Sequence, residues 1–86
     1  MKYKCPCCDY FTFKKKVGGT HDICPVCYWE DCLKQLKDHD LISGWNPVSL
    51  HQARKNFISI GACEPKMLEH VRPPNSDELQ GFVWSH

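Results

Sequence analysis

The sequence has no long apolar run, and this absence excludes one large class of protein. No stretch of the 86 residues approaches the roughly 18 consecutive apolar residues of a membrane-spanning helix. The first five residues carry no apolar segment of the kind that directs a protein to secretion. We therefore expect a protein of the reducing cytoplasm that does not associate with membranes.

The sequence also lacks an excess of charge of either sign. Eleven Lys and Arg are balanced by ten Asp and Glu, which gives a formal net charge of +1. Long-range attraction to a nucleic acid requires a high positive charge or a clustered basic patch. The net charge supplies no such attraction, so a nucleic-acid-binding function would depend on a local basic surface.

Cysteine is abundant, but its count does not fit a set of disulfides. The chain has seven cysteines, and an odd number leaves at least one thiol unpaired. A chain of this length buries only a modest core, so small domains often add disulfides or a bound metal for stability. The odd count and the expected reducing environment both favour a metal.

Four of the cysteines form two matched C-x₂-C pairs. Fifteen residues separate the pairs, a spacing that is typical of a zinc site. Two thiolates three positions apart on a tight turn can reach one ion, and a second such turn completes a tetrahedron. A proline follows the first cysteine of each pair and favours the bend. The predicted metal ligands are Cys5, Cys8, Cys24 and Cys27.

The predicted shell leaves the identity of the metal open, because tetrahedral sulfur ligation suits iron as well as Zn²⁺. We favour Zn²⁺, since no feature for docking an electron-transfer partner is visible. A catalytic C-x₂-C usually lies near a βαβ pattern at a helix N-terminus, where the helix dipole lowers a thiol pKa. Both pairs here lie among hairpin signals. A thiol redox enzyme is therefore the least favoured interpretation, and we predict no enzymatic activity.

Three cysteines remain outside the predicted ligand set. Cys7 adjoins a predicted ligand and is expected to be a non-ligand that can serve as a spare thiol. Cys63 is expected to be a small buried apolar residue between two helices, and Cys32 a loop thiol. His21 lies three positions before the second pair, but four cysteines already complete the shell, so we interpret it as a strand residue.

The segment between the cysteine pairs predicts a β-hairpin. Residues 10–13 and 20–23 contain the aromatic and β-branched residues that are typical of strands. Gly18-Gly19 lies between them and suits a turn. Asp9 follows the first pair, at a position where such turns often require a left-handed backbone. The prediction is a zinc ribbon over residues 1–31, with both cysteine pairs at one end of the hairpin.

The rest of the chain predicts two helices in one small metal-bound α+β domain over residues 1–86. Residues 32–45 are polar and broken by Ser43-Gly44, which favours a loop. Residues 46–74 form the two-helix segment. Its first helix begins at Ser49, which forms a capping-box pattern with Gln52, and its second begins near Pro65. The first helix has an apolar stripe of Leu50, Ala53, Phe57 and Ile58. The tail, 75–86, is apolar enough to add a strand or to pack on the ribbon.

Taken together, these motifs resemble the small bacterial CPCC cysteine-rich family, named for the Cys-Pro-Cys-Cys run that stands here at residues 5–8. The resemblance continues at residues 23–31, 46–50, 53–57, 61–63 and 71–74. It implies a stand-alone cysteine-rich domain that binds metal. It implies no particular activity. Asp9 replaces the family's usual glycine, and Cys32 is not part of the resemblance.

The sequence as a whole predicts a monomeric interaction module with a structural metal and a protein partner. The alternative is a nucleic-acid-binding ribbon, in which cations and aromatic rings form a binding surface. Glu30-Asp31 would repel phosphate there, and a solvated charged surface explains the same cations more simply. The cations concerned are Lys14, Lys15, Lys16, His51, Arg54 and Lys55.

Overall fold

A computed structural model describes residues 2–79 as a small α+β fold. The order of elements is β1 (Tyr3–Lys4), β2 (Phe11–Phe13), α1 (Leu33–Lys37), α2 (Leu50–Ile60), a 3₁₀ turn (Pro65–Met67) and α3 (Ser76–Leu79). None of the helices in this range has the length and apolar composition that a membrane span requires. The predicted mixture of helix and strand is confirmed, while the arrangement of the strands differs.

The segments that pair with each other lie on either side of one cysteine pair, and not in the stretch between the two cysteine pairs. β1 and β2 are antiparallel, with Tyr3 opposite Phe13 and an irregularity after Tyr3, so this hairpin encloses the first cysteine pair. Residues 20–23 contribute one isolated bridge, between Ile23 and Glu30, which encloses the second pair. The predicted pairing of residues 10–13 with residues 20–23 is therefore wrong.

One buried carboxylate explains this difference. Asp31 is fully buried and accepts hydrogen bonds from the backbone N–H groups of Gly18, Gly19 and Thr20 at 2.8–3.1 Å, and from the Thr20 hydroxyl at 2.8 Å. Gly18 and Gly19 have φ of 143° and 99°, which side-chain-bearing residues rarely adopt. The glycines do form a turn, but this turn wraps around Asp31 instead of joining two paired strands.

The segment predicted as a loop contains the helix α1. A buried network of hydrogen bonds from side-chain amides holds this helix in place. The Gln35 Nε2 atom donates to the carbonyl oxygens of Leu41 and Val48 at 2.8 and 3.0 Å. Its Oε1 atom accepts from Asn46 Nδ2 at 2.8 Å, and the Asn46 amide bonds to both backbone groups of Glu30. Because these bonds satisfy buried backbone groups, a short helix forms here without a long apolar stripe.

The predicted start and end of α2 are confirmed, although the Gln52 side chain bonds to Asn56 at 2.8 Å rather than completing the capping box. The Ser49 hydroxyl accepts a hydrogen bond from the Gln52 N–H at 3.1 Å, and Gly61 ends the helix with φ of 84°. Leu50 and Ala53 are buried, and Phe57 is half-buried. Ile58 is 85% exposed, so its predicted place in the apolar stripe is wrong.

The chain after α2 is less helical than predicted. The second helix is a 3₁₀ turn, Pro65–Met67. In the tail, the short helix α3 lies against β2. The buried carboxylate of Glu78 accepts two hydrogen bonds from Arg72 at 2.8 Å, and this guanidinium holds the pKa of Glu78 below its ordinary value. The apolar tail residues Phe82, Val83 and Trp84 lie outside the described residues.

The core of the protein is built around sulfur. Most of the cysteines lie in one buried cluster with a few apolar side chains; its members are Cys5, Cys7, Cys8, Phe13, Cys24, Val26, Cys27, Trp29, Leu50, Ala53 and Cys63. Trp29 is buried and packs in this cluster. Because thiols replace many of the aliphatic side chains of an ordinary core, we expect the stability of the fold to depend on a ligand bound by these sulfurs.

A candidate metal centre

Two turns of the same construction present the four predicted ligands. In the first turn, residues 5–10, the N–H of Cys5 donates to the carbonyl of Tyr10 at 2.8 Å, and the N–H of Asp9 donates to the carbonyl of Cys5 at 2.9 Å. The second turn, residues 24–29, repeats both bonds at 2.9 and 2.8 Å. Each turn therefore directs two cysteine side chains to the same side.

Both turns require a left-handed residue directly after the second cysteine. Asp9 has φ of 68°, as its position predicts, and Tyr28 has φ of 69°. This backbone costs a side-chain-bearing residue roughly 1–2 kcal/mol. The Tyr28 ring stacks on His70 with ring centroids 4.9 Å apart. Sequence reasoning missed Tyr28, although it stands in the same place in the second motif as Asp9 does in the first.

The structure brings the four predicted ligands together. The Sγ atoms of Cys5 and Cys27 are 3.6 Å apart, and those of Cys8 and Cys24 are 3.8 Å apart. All four Sγ atoms lie within 4.8 Å of one another, and all four residues are buried. A tetrahedral zinc site with Zn–S bonds of about 2.3 Å has sulfurs about 3.8 Å apart. The spacing therefore suits one tetrahedral ion.

The thiols of Cys5, Cys24 and Cys27 do not ionise independently. Hydrogen bonds from Cys27 and Cys5 lower the pKa of the Cys24 thiol. Burial raises the pKa of Cys5, and the hydrogen bond to Cys24 raises that of Cys27. The thiolate of Cys24 is thus stabilised, whereas ionisation of Cys5 and Cys27 becomes less favourable. A divalent cation stabilises all the thiolates together, so the chemistry of the donor set also fits a metal.

Within the described residues, three hydrogen bonds join the turns to the rest of the protein. The Arg54 Nε atom of α2 donates to the carbonyl of Pro6 at 2.7 Å. The N–H of Cys63 donates to the carbonyl of Cys27 at 2.9 Å. The Thr12 hydroxyl of β2 donates to the Cys24 Sγ atom at 3.0 Å. Sequence reasoning missed these contacts because each one joins residues that are distant in the chain.

The other three cysteines are all buried. Cys7 lies outside the four-thiol group, but it is one of the thiols that raise the pKa of Cys27, after Cys24 and Cys5. Cys7 is thus close to a ligand of the second turn. Cys63 is buried, as predicted, and burial raises the pKa of its thiol to about 12. Cys32 lies in the loop before α1, as predicted, and is buried.

Several of the cations that the alternative interpretation assigns to a nucleic-acid surface instead contact other groups of the protein. Arg54 bonds to the first turn. Lys15 Nζ is 3.7 Å from Asp22, and His51 Nδ1 is 3.3 Å from Asp40. His21 lies outside the four-thiol group and pairs with Glu30 at 3.0 Å, although its φ of 64° does not match the predicted strand. Since Trp29 is buried, it offers no ring for base stacking.

The comparison with protein families agrees with this site. A family model described as "Cysteine-rich CPCC" matches residues 3–78. The chain belongs to the Cysteine-rich CPCC family. The match covers both cysteine pairs of this CPCC protein and extends through α1 and into α3, beyond the segments that carry the resemblance in the sequence. Among curated proteins, no sequence matches this chain at a significant level.

Proposed function

We propose that this CPCC protein is a small cytoplasmic module that folds around one structural Zn²⁺ and acts, as a monomer, by binding another protein. The carrying observation is the buried group of four sulfurs at tetrahedral spacing. A closed shell of four thiolates has no open position for water or substrate. The proposed role of the metal is therefore structural, and the proposed activity is binding rather than catalysis.

Elemental analysis of the purified protein tests the metal. We expect one zinc per chain, and Cys24→Ser should lose it. Cys32→Ser is the matched control, because this cysteine is buried but lies outside the four-thiol group. A protein with no bound metal would contradict the proposal. A red protein with bound iron would contradict the choice of zinc and favour electron transfer.

Exposed apolar side chains support the binding role. Trp45 is 81% exposed, and Ile42 and Ile58 are also exposed. Tryptophan is enriched among the residues that dominate binding energy at protein interfaces. Since an exposed side chain contributes little to the fold, Trp45→Ala should remain folded and still bind zinc.

The binding role is tested by comparing zinc-loaded wild-type protein with Trp45→Ala as baits for proteins from the source cells. We expect a partner that binds the wild-type protein saturably and is lost from the variant, with Lys66→Ala as the exposed control. Salt-dependent retention on RNA or DNA, without such a protein partner, would contradict the proposal and favour the nucleic-acid alternative.

A further inference from the structure

The hydroxyl group of Thr12 makes one ligand of the metal centre different from the others. Thr12 is 8% exposed, and its Oγ1 atom donates a hydrogen bond to Cys24 Sγ at 3.0 Å. Within residues 2–79, the other hydrogen bonds to the four sulfurs come from thiols, including that of Cys7 beside Cys27. Cys24 is therefore the sulfur that receives a hydrogen bond from a hydroxyl group.

The position of Thr12 is fixed by the strand that carries it. Its neighbours Phe11 and Phe13 pair with β1, and side chains alternate between the two faces of a strand. The strand thereby holds the Thr12 side chain on one face, where its hydroxyl contacts Cys24.

A hydrogen bond to a metal-bound thiolate has a known chemical effect. The donor withdraws electron density from the sulfur, so the sulfur donates less to the metal and is a weaker nucleophile. The properties of metal–sulfur centres accordingly depend on hydrogen bonds to the sulfurs. The three ligands without such a donor retain more of their electron density.

We propose that Thr12 is a positioning residue that sets Cys24 apart from the other ligands by lowering the donation of its sulfur to the metal. The inference rests on the proposed function, since it requires a metal at the four sulfurs. Two substitutions separate the hydroxyl from the shape of the side chain. Thr12→Val keeps the shape and removes the donor, whereas Thr12→Ser keeps the donor and removes a methyl group.

The absorption spectrum of the cobalt-substituted protein tests the effect on the metal. Without the hydrogen bond the sulfur lone pairs rise in energy, so the sulfur-to-cobalt charge-transfer bands of Thr12→Val should move to lower energy. Thr12→Ser should match the wild-type protein. Thr12→Ala replaces Thr12→Val if that variant does not load cobalt. Unchanged bands without the hydroxyl, or an equal shift in Thr12→Ser, would overturn the inference.

Failure of the wild-type protein to bind cobalt at the four cysteines is a distinct outcome. It would overturn the proposed function, and this inference with it. Unchanged bands in a cobalt-loaded variant would overturn this inference alone.

Discussion

At the scale of single residues, adjacent cysteines have different roles. Cys8 belongs to the four-thiol group and Cys7 does not. We expect Cys7→Ser to leave the affinity for zinc nearly unchanged and Cys24→Ser to abolish folding, because only the second change removes a ligand. Competition for zinc with a coloured chelator ranks the variants. If Cys7→Ser proves as damaging as Cys24→Ser, the first turn binds through a different set of thiols.

Asp31 gives a second prediction at this scale. Its Oδ2 atom accepts from three backbone N–H groups and one hydroxyl, and its Oδ1 atom accepts from the Gly18 N–H at 3.1 Å. In asparagine an NH₂ group replaces one oxygen and would face the Gly18 donor, and the negative charge that strengthens the other bonds is lost. We expect Asp31→Asn to lower the free energy of unfolding by about 3 kcal/mol, measured by denaturant titration of the zinc-loaded protein. Asp38→Asn is the control, since Asp38 is exposed. Equal midpoints for the two variants would contradict this role.

At the scale of elements, the sequence predicts those helices and turns whose formation depends on residues close together in the chain. α2 is predictable because Ser49, Gly61 and the apolar spacing all lie within or beside the helix. The four-cysteine site is predictable because each pair is a local turn with a fixed spacing. α1 and the strand pairing depend instead on Gln35 and Asp31, whose buried polar groups bond to distant backbone. Periodicity gives no signal for such contacts.

The attachment of α2 to the first turn can be tested with Arg54. Its Nε atom bonds to the Pro6 carbonyl, and a hydrogen bond from a charged group contributes roughly 1.5–3 kcal/mol. Arg54→Ala should lower the free energy of unfolding by an amount in this range and speed the loss of zinc to a chelator. Lys55→Ala is the control, because this neighbour is exposed. An Arg54→Ala protein with unchanged stability would mean that this bond does not hold the helix.

At the scale of the whole molecule, the four-cysteine group joins the two halves of the chain. The first turn is bonded to α2 through Arg54, and the second turn is bonded to the segment after α2 through Cys63. The buried cluster contains more cysteines than large aliphatic side chains. Binding of structural zinc by small finger peptides contributes about 10–16 kcal/mol at pH 7, whereas the net stability of a domain is roughly 5–15 kcal/mol. We therefore expect the protein to fold only when the metal is bound.

Removal of the metal tests this claim most directly. A two-dimensional amide NMR spectrum is recorded before and after a strong chelator is added, and again after excess zinc is restored, with a reducing agent present throughout. We expect the amide signals of the folded protein to lose their dispersion on chelation and to regain it when zinc is restored. A chelated, metal-free protein whose amide spectrum is unchanged would contradict it.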